Sequence, residues 1–215
     1  EFYKFPTNTF GLGSRTTPAD RTGIVYSQAT IHQQVMREVA KNTYLGVGYN
    51  LDSYWNVTID SAAGKGYSDF MNYGYHPHSF ASGISACFLY DSRHNLNNPN
   101  GGFYSNIQYR NFSKLLGGEN DYQVLFMDIR KYYKYPKCSR GVIALWFYSA
   151  FVLSGTPAYM ELPSTGWDFS NNLGRSYVQG RYRGRNLMYC EAEYRFVITK
   201  NGLLGGNVFG NVQSY

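Results

Sequence analysis

The sequence predicts an all-β fold, a transmembrane antiparallel up-and-down β-barrel, and three observations carry that expectation. Apolar and polar residues alternate with a period of two, not 3.6, over most of the 215 residues. Charged residues make up only 16 % of the chain while aromatics reach 18 %, with 22 tyrosines; an ordinary soluble domain carries about 25 % charge. Mean hydropathy is nevertheless negative, at −0.41, as expected where one face meets lipid and the other a polar lumen. Finally, short and long connections alternate, as the periplasmic turns and extracellular loops of outer-membrane barrels do.

Strands are expected at about 7–13, 22–37, 43–57, 80–91, 102–112, 121–134, 141–153, 186–199 and 203–214. The segment from Ile31 to Asn42 is compatible with a helix by composition, but a single short helix has no partner, so it reads as a strand running into a turn. In 103–112, Phe103, Ile107 and Tyr109 share a face with Ser105 and Asn111, opposite Tyr104, Asn106, Gln108 and Arg110. In 122–131, Gln123, Leu125, Met127 and Ile129 oppose Tyr122, Val124, Phe126, Asp128 and Arg130. The apolar run Gly141–Leu153 is too short for a membrane helix but long enough for a membrane strand, which needs about 9–11 residues. In 186–198, Met188, Cys190, Ala192, Tyr194, Phe196 and Ile198 alternate with a face that holds Glu191, Glu193 and Arg195. Arg or Lys at the lipid midplane costs roughly 2–4 kcal/mol, so this second face is expected to look into a polar lumen. Short connections fall near 38–42, 135–140 and 200–202, and long ones at about 58–79 and 154–185; the stretch from Ser61 to Phe80, rich in Gly, Tyr and His, suits an outer loop.

Length is sufficient for one large all-β domain, with no second domain required. The net charge of +6 and pI near 9.1 come from scattered Lys and Arg with no basic stripe on a helix, so no nucleic-acid partner is expected. Cys87, Cys138 and Cys190 are far apart, odd in number and without metal-ligand spacing. No charged-then-apolar leader opens the chain. Gly11-Leu12-Gly13-Ser14-Arg15 lacks the ending of a phosphate loop. Asp91 and His94 lie in a turn rich in Asn and Pro, and His76 and His78 alone make a weak metal site. Trp55, Trp146 and Trp167, with the many tyrosines, suit the aromatic girdles at the two membrane interfaces. No nucleophile, base and orienting acid assemble, so no enzyme activity, metal or cofactor is expected.

Two blocks carry a resemblance. Leu89-Tyr90-Asp91-Ser92-Arg93-His94-Asn95, followed by Asn98-Pro99-Asn100-Gly101-Gly102, resembles a block of the bacterial surface antigen superfamily, which includes BamA, TamA and the transporters of two-partner secretion. Gly174-Arg175-Ser176-Tyr177, in the long connection before the strand with Glu193-Tyr194-Arg195-Phe196, is similar to the V-R-G-F/Y motif of that family's sixth extracellular loop, with Gly174 in place of Val and Ser176 in place of Gly. Val208-Phe209-Gly210-Asn211 stands where the family has F-x-D.

The resemblance implies a sixteen-stranded barrel of which this chain supplies strands five to thirteen, the opening and closing strands lying outside it. It implies a site in the Gram-negative outer membrane, contact with outer-membrane lipid and lipopolysaccharide, and work in outer-membrane protein insertion or translocation. A second implied role is a structural or accessory subunit of a larger outer-membrane complex, without periplasmic POTRA domains. The loop folds back into the lumen in that family, so Arg175 and Tyr177 are expected at a lock with Glu193 and Asn211. Glu191 is an alternate acid, and Arg181 or Arg183 takes the lock in a competing register.

Overall fold

The computed structural model describes residues 2–60, 64–135, 141–166, 172–199 and 201–215. Its strands are β1 (Phe2–Thr9), β2 (Thr22–Ala40), β3 (Thr43–Ile59), β4 (Ser79–Asp91), β5 (Gly102–Phe112), β6 (Tyr122–Tyr135), β7 (Gly141–Gly155), β8 (Asn186–Val197) and β9 (Gly205–Ser214). All pair antiparallel with their chain neighbours in one nine-stranded sheet. β1 and β9 are its edges and do not pair with each other, so the sheet is open.

The sequence places all nine strands, and the differences lie at their ends. β1 covers 2–9, not 7–13, because Gly11 and Gly13 take φ of +95° and +84° and turn the chain away. β2 runs unbroken through Ile31–Ala40, the segment with helical composition. There Ile31, Val35 and Val39 fall on the outer face and His32, Gln34, Met36 and Glu38 on the inner one, a two-residue period that cross-strand pairing with β3 enforces. The hairpin turns at Lys41-Asn42, where Asn42 accepts φ +60° at low cost. Helix α1 (Lys65–Gly74) was not foreseen. The sequence reads 58–79 as a plain loop, yet Phe70 packs into a core and gives the helix the partner it needs.

The two faces differ as the alternation requires. Outward lie Val35 (77 % exposed), Val47 (68 %), Ile84, Tyr109, Leu145, Tyr194, Val208 and Val212. Inward lie Gln28, His32, Asn50, Asp52, Ser85, Gln108, Arg110, Asp128, Glu191 and Glu193. One face of the sheet is thus exposed and largely apolar, and the other is largely polar. Among the described residues no helix is long and apolar enough to cross a membrane.

The inner face is concave. Asn98, in the β4–β5 turn, accepts a hydrogen bond from Arg195 on β8 at 3.2 Å, a reach that a flat sheet would not permit. At Gly46 the backbone of β2 approaches as only glycine permits: a Cβ there would lie 2.1 Å from the Val35 carbonyl oxygen. At the end of the long connections the concavity is filled by a core of Ile24, Tyr26, Tyr54 and Val57 from the sheet, Phe70 from α1, and Tyr159, Met160 and Leu162 from the β7–β8 connection.

Candidate functional site

The described parts of the β7–β8 connection, residues 156–166 and 172–185, do not extend away from the sheet but lie across its inner face. Aromatic burial fixes its first arm. Tyr159 packs edge-on against Phe70 with ring centres 4.9 Å apart, and its hydroxyl meets the Thr9 Oγ1 at 2.6 Å. The return arm is held by Arg183, 1 % exposed, whose Nη1 donates to the carbonyl oxygens of Tyr159, Met160 and Leu162 at 2.9, 3.3 and 3.2 Å. In the short turn at Tyr159–Glu161 only the Tyr159 carbonyl has a partner within the turn, the Leu162 amide at 3.3 Å, and one guanidinium reaches all three carbonyls. The Arg183 carbonyl in turn accepts from the Gly13 amide at 2.7 Å, which ties the connection to the chain after β1.

Between these arms the loop carries Arg175 to β8. Its Nη1 lies 2.9 Å from Glu193 Oε2 and its Nη2 lies 3.5 Å from Glu191 Oε1. Antiparallel β8 places both carboxylates on the inner face two residues apart, so one fork spans them. Both acids are buried, and each has a second partner. Arg195 Nε donates to Glu193 at 2.8 Å, and the Tyr189 hydroxyl donates to Glu191. The guanidinium also stands over the Phe209 ring at 5.0 Å.

The backbone that presents Arg175 is left-handed on both sides, with φ +75° at Gly174 and +76° at Ser176. Glycine suits such a position and serine does not. The resembling motif has glycine where this chain has Ser176.

The structure thus brings together Arg175, Glu191, Glu193 and Asn211. Asn211 reaches the group differently from the expected hydrogen bond to the guanidinium: its Nδ2 donates to the Arg175 carbonyl at 3.4 Å. Tyr177 is exposed and tilts against Tyr182, 5.7 Å away, rather than entering the cluster. Arg181 and Arg183 lie elsewhere. Arg181 stands over Phe10 and donates to Thr16, and Arg183 holds the three carbonyls.

Glu161 marks a third contact of the loop with the inner wall. Burial pushes its carboxyl up to about 7 and Asp52 adds repulsion in the same direction, while the Ala158 amide, 3.0 Å from Oε2, opposes them only in part. Burial likewise raises the Tyr159 hydroxyl, against the pull of Arg183. Nothing in residue spacing marks Glu161 or Thr9, and Arg183, expected only as an alternate for the lock, is not marked as a holder of carbonyls, because these partners are distant in the chain; Thr9 and Tyr159 are 150 residues apart.

The remaining inner wall is a series of local ion pairs. Arg93 meets Asp91 and Arg130 meets Asp128, each at 2.7 Å. Arg130 also stands over Trp146, whose indole donates to Asp128 at 2.9 Å. The Asp91 carboxylate is therefore engaged by Arg93. Among the described residues no group of three or more His, Cys, Asp or Glu could hold a metal ion. Cys87 and Cys190 are free thiols; Cys138 and Trp167 lie outside the described residues. No known protein family and no curated protein matches the chain in sequence.

Proposed function

We propose that this chain is part of an outer-membrane β-barrel that helps proteins insert into or cross the outer membrane. The carrying observation is Arg175, delivered by a long connection onto Glu191 and Glu193 of the polar inner face, while the opposite face is apolar. A barrel with a lipid-facing exterior has a water-filled interior, and a connection folded into it sets what passes. The Arg175–Glu193 contact is of the kind that the sequence resemblance implies, and it supports this reading although Tyr177 stays outside the cluster and Asn211 meets the Arg175 carbonyl. On this reading β1 and β9 pair with further strands, up to sixteen in all, because an open edge leaves backbone N–H and C=O groups unsatisfied in lipid.

The activity this reading implies is not covalent, so no nucleophile or cofactor is invoked. The loop arginine holds a bulky plug on the wall, and displacing it opens the interior to a client chain. The test is reconstitution of the intact protein in liposomes of outer-membrane lipid. The folding rate of an unfolded outer-membrane client is then followed by its shift from heat-sensitive to heat-resistant mobility. Acceleration over empty liposomes, weakened by Arg175→Ala, supports the proposal; a rate equal to that of empty liposomes contradicts it.

A second reading, an accessory or structural barrel subunit of a larger complex, is favoured by two departures from the family motif. Asn211 supplies no charge to the lock, and Ser176 strains the loop that carries it. Copurifying membrane proteins together with no client acceleration would select it.

A further inference from the structure

Four arginines of the inner surface each hold a carboxylate: Arg93 with Asp91, Arg130 with Asp128, Arg195 with Glu193, and Arg175 with Glu193 and Glu191. Arg110, on the inner face of β5, does not. Among the described residues no carboxylate lies within ion-pair distance of it, and its two Nη nitrogens make no protein hydrogen bond.

The group is nonetheless held rigidly. Its Nε donates to Gln108 Oε1 at 3.0 Å, and Gln108, 2 % exposed, is itself fixed by donating to Asn106 Oδ1 at 3.1 Å. The guanidinium stands 4.7 Å over the Phe126 ring of β6. Directly across on β4 is Ser85, whose Oγ accepts from Asn50 Nδ2 at 3.0 Å. The nearby acid Asp52 is turned to His32, with both carboxylate oxygens 3.1 Å from Nε2.

A guanidinium with its Nε engaged and its face stacked has one free edge, and two parallel N–H groups there match a planar carboxylate. An uncompensated cation on a partly desolvated wall attracts an anion more strongly than the same group in water. A lone guanidinium balances one negative charge, which favours a carboxylate over a phosphate dianion. We propose that Arg110 is the anchor of a carboxylate-binding site on the inner wall, with Gln108 and Phe126 as its positioning residues.

The proposal rests on the inner face being open to water, as in the barrel reading. The intact protein in detergent is titrated with sodium acetate against sodium chloride at constant ionic strength, and its thermal midpoint is followed. We expect a saturable rise with acetate that chloride does not produce. In Arg110→Gln the apparent affinity falls at least about tenfold, and Arg110→Lys, which keeps the charge and loses the fork, falls several-fold.

A tetra-alanine peptide with a free C-terminus, set against its amide, distinguishes the source. Binding tighter than acetate and lost on amidation assigns the site to a polypeptide terminus; binding no tighter than acetate assigns it to small free carboxylates. Acetate no more effective than chloride, or equally effective in the Gln variant, overturns the site. Should the Gln variant fail to fold, the Lys variant decides, and undiminished acetate binding there overturns it equally. Maleimide labelling of Gln34→Cys, an inner-face position outside the site, separates the two failures. An unlabelled cysteine contradicts the barrel reading, and a labelled cysteine without acetate binding contradicts this site alone.

Discussion

Arg175 and Glu193 meet at 2.9 Å although 18 positions of chain separate them, and the contact joins a loop to a strand that each has other anchors. Glu193 is buried and already paired with Arg195, so Arg175 adds a second cation to a carboxylate that cannot turn to water. Removing it leaves Glu191, among the described residues, with only the Tyr189 hydroxyl. We expect Arg175→Ala to destabilise the docked loop by roughly 1–3 kcal/mol, the range for an unsatisfied buried polar group. Arg175→Lys should recover part of this, since an ammonium cannot span both acids. Urea midpoint and protease cleavage within residues 156–185 measure it; unchanged values in both would remove Arg175 from the account.

Ser176 offers the converse change. Its φ of +76° is costly for a residue with a Cβ and free for glycine. Ser176→Gly should stabilise docking by on the order of 0.5 kcal/mol, the left-handed strain relieved less the entropy that glycine adds to the unfolded chain. Slower loop proteolysis in the variant is the expected readout. Faster proteolysis would show that the Ser176 side chain contributes more than its strain costs.

Arg183 should matter more than Arg175 for stability. Three carbonyls lose the Arg183 guanidinium together in Arg183→Met, although that of Tyr159 keeps the Leu162 amide. The expected loss is about 2–4 kcal/mol, and the loop and α1 should loosen together because Tyr159 touches Phe70. Hydrogen exchange would show both segments exposed; protection retained in α1 would separate them.

Glu161 gives the loop a pH dependence whose sign follows from burial. Its carboxyl is raised to about 7 from an ordinary 4.5, so the docked state holds the proton more tightly than the released state. Docking is therefore strongest below about pH 4.5, weakens as pH rises towards 7, and is level above that. The neighbouring charge of Asp52 acts in the same direction. Loop proteolysis should be slower at about pH 5 than at about pH 8 in the native protein. In Glu161→Gln this difference should disappear; a difference that persists unchanged would place the titration elsewhere.

The strands were legible because each needs only its own alternation. In β8, Glu191, Glu193 and Arg195 name the polar face without reference to any other strand, and the register then puts Asn211 beside Glu191. The run of β2 through Gln33 to Ala40 was less legible, since its composition also suits a helix and only the pairing with β3 decides. Helix α1 was not legible at all. Its sequence is short, and the partners that bury Phe70, among them Tyr159 and Ile24, are distant in the chain. Of the site, Arg175 and its acids were visible through a short motif, whereas Arg183 serves backbone carbonyls and Glu161 is buried near Asp52, partners that no spacing reveals.

The central claim is that the polar face of this sheet meets water while the apolar face meets lipid. Single cysteines test it directly, introduced into the intact membrane-embedded protein after Cys87, Cys138 and Cys190 are changed to Ser. At Gln34, Asn106 and Asn207 on the inner face, a membrane-impermeant maleimide should react. At Val35, Ile107 and Val208, each next in the chain and on the outer face, it should not, and a lipid-dissolved reagent should react instead. Alternation of reactivity with a period of two across β2, β5 and β9 is the predicted result. Equal reactivity of neighbouring positions with the aqueous reagent would contradict the membrane barrel and the loop function built on it.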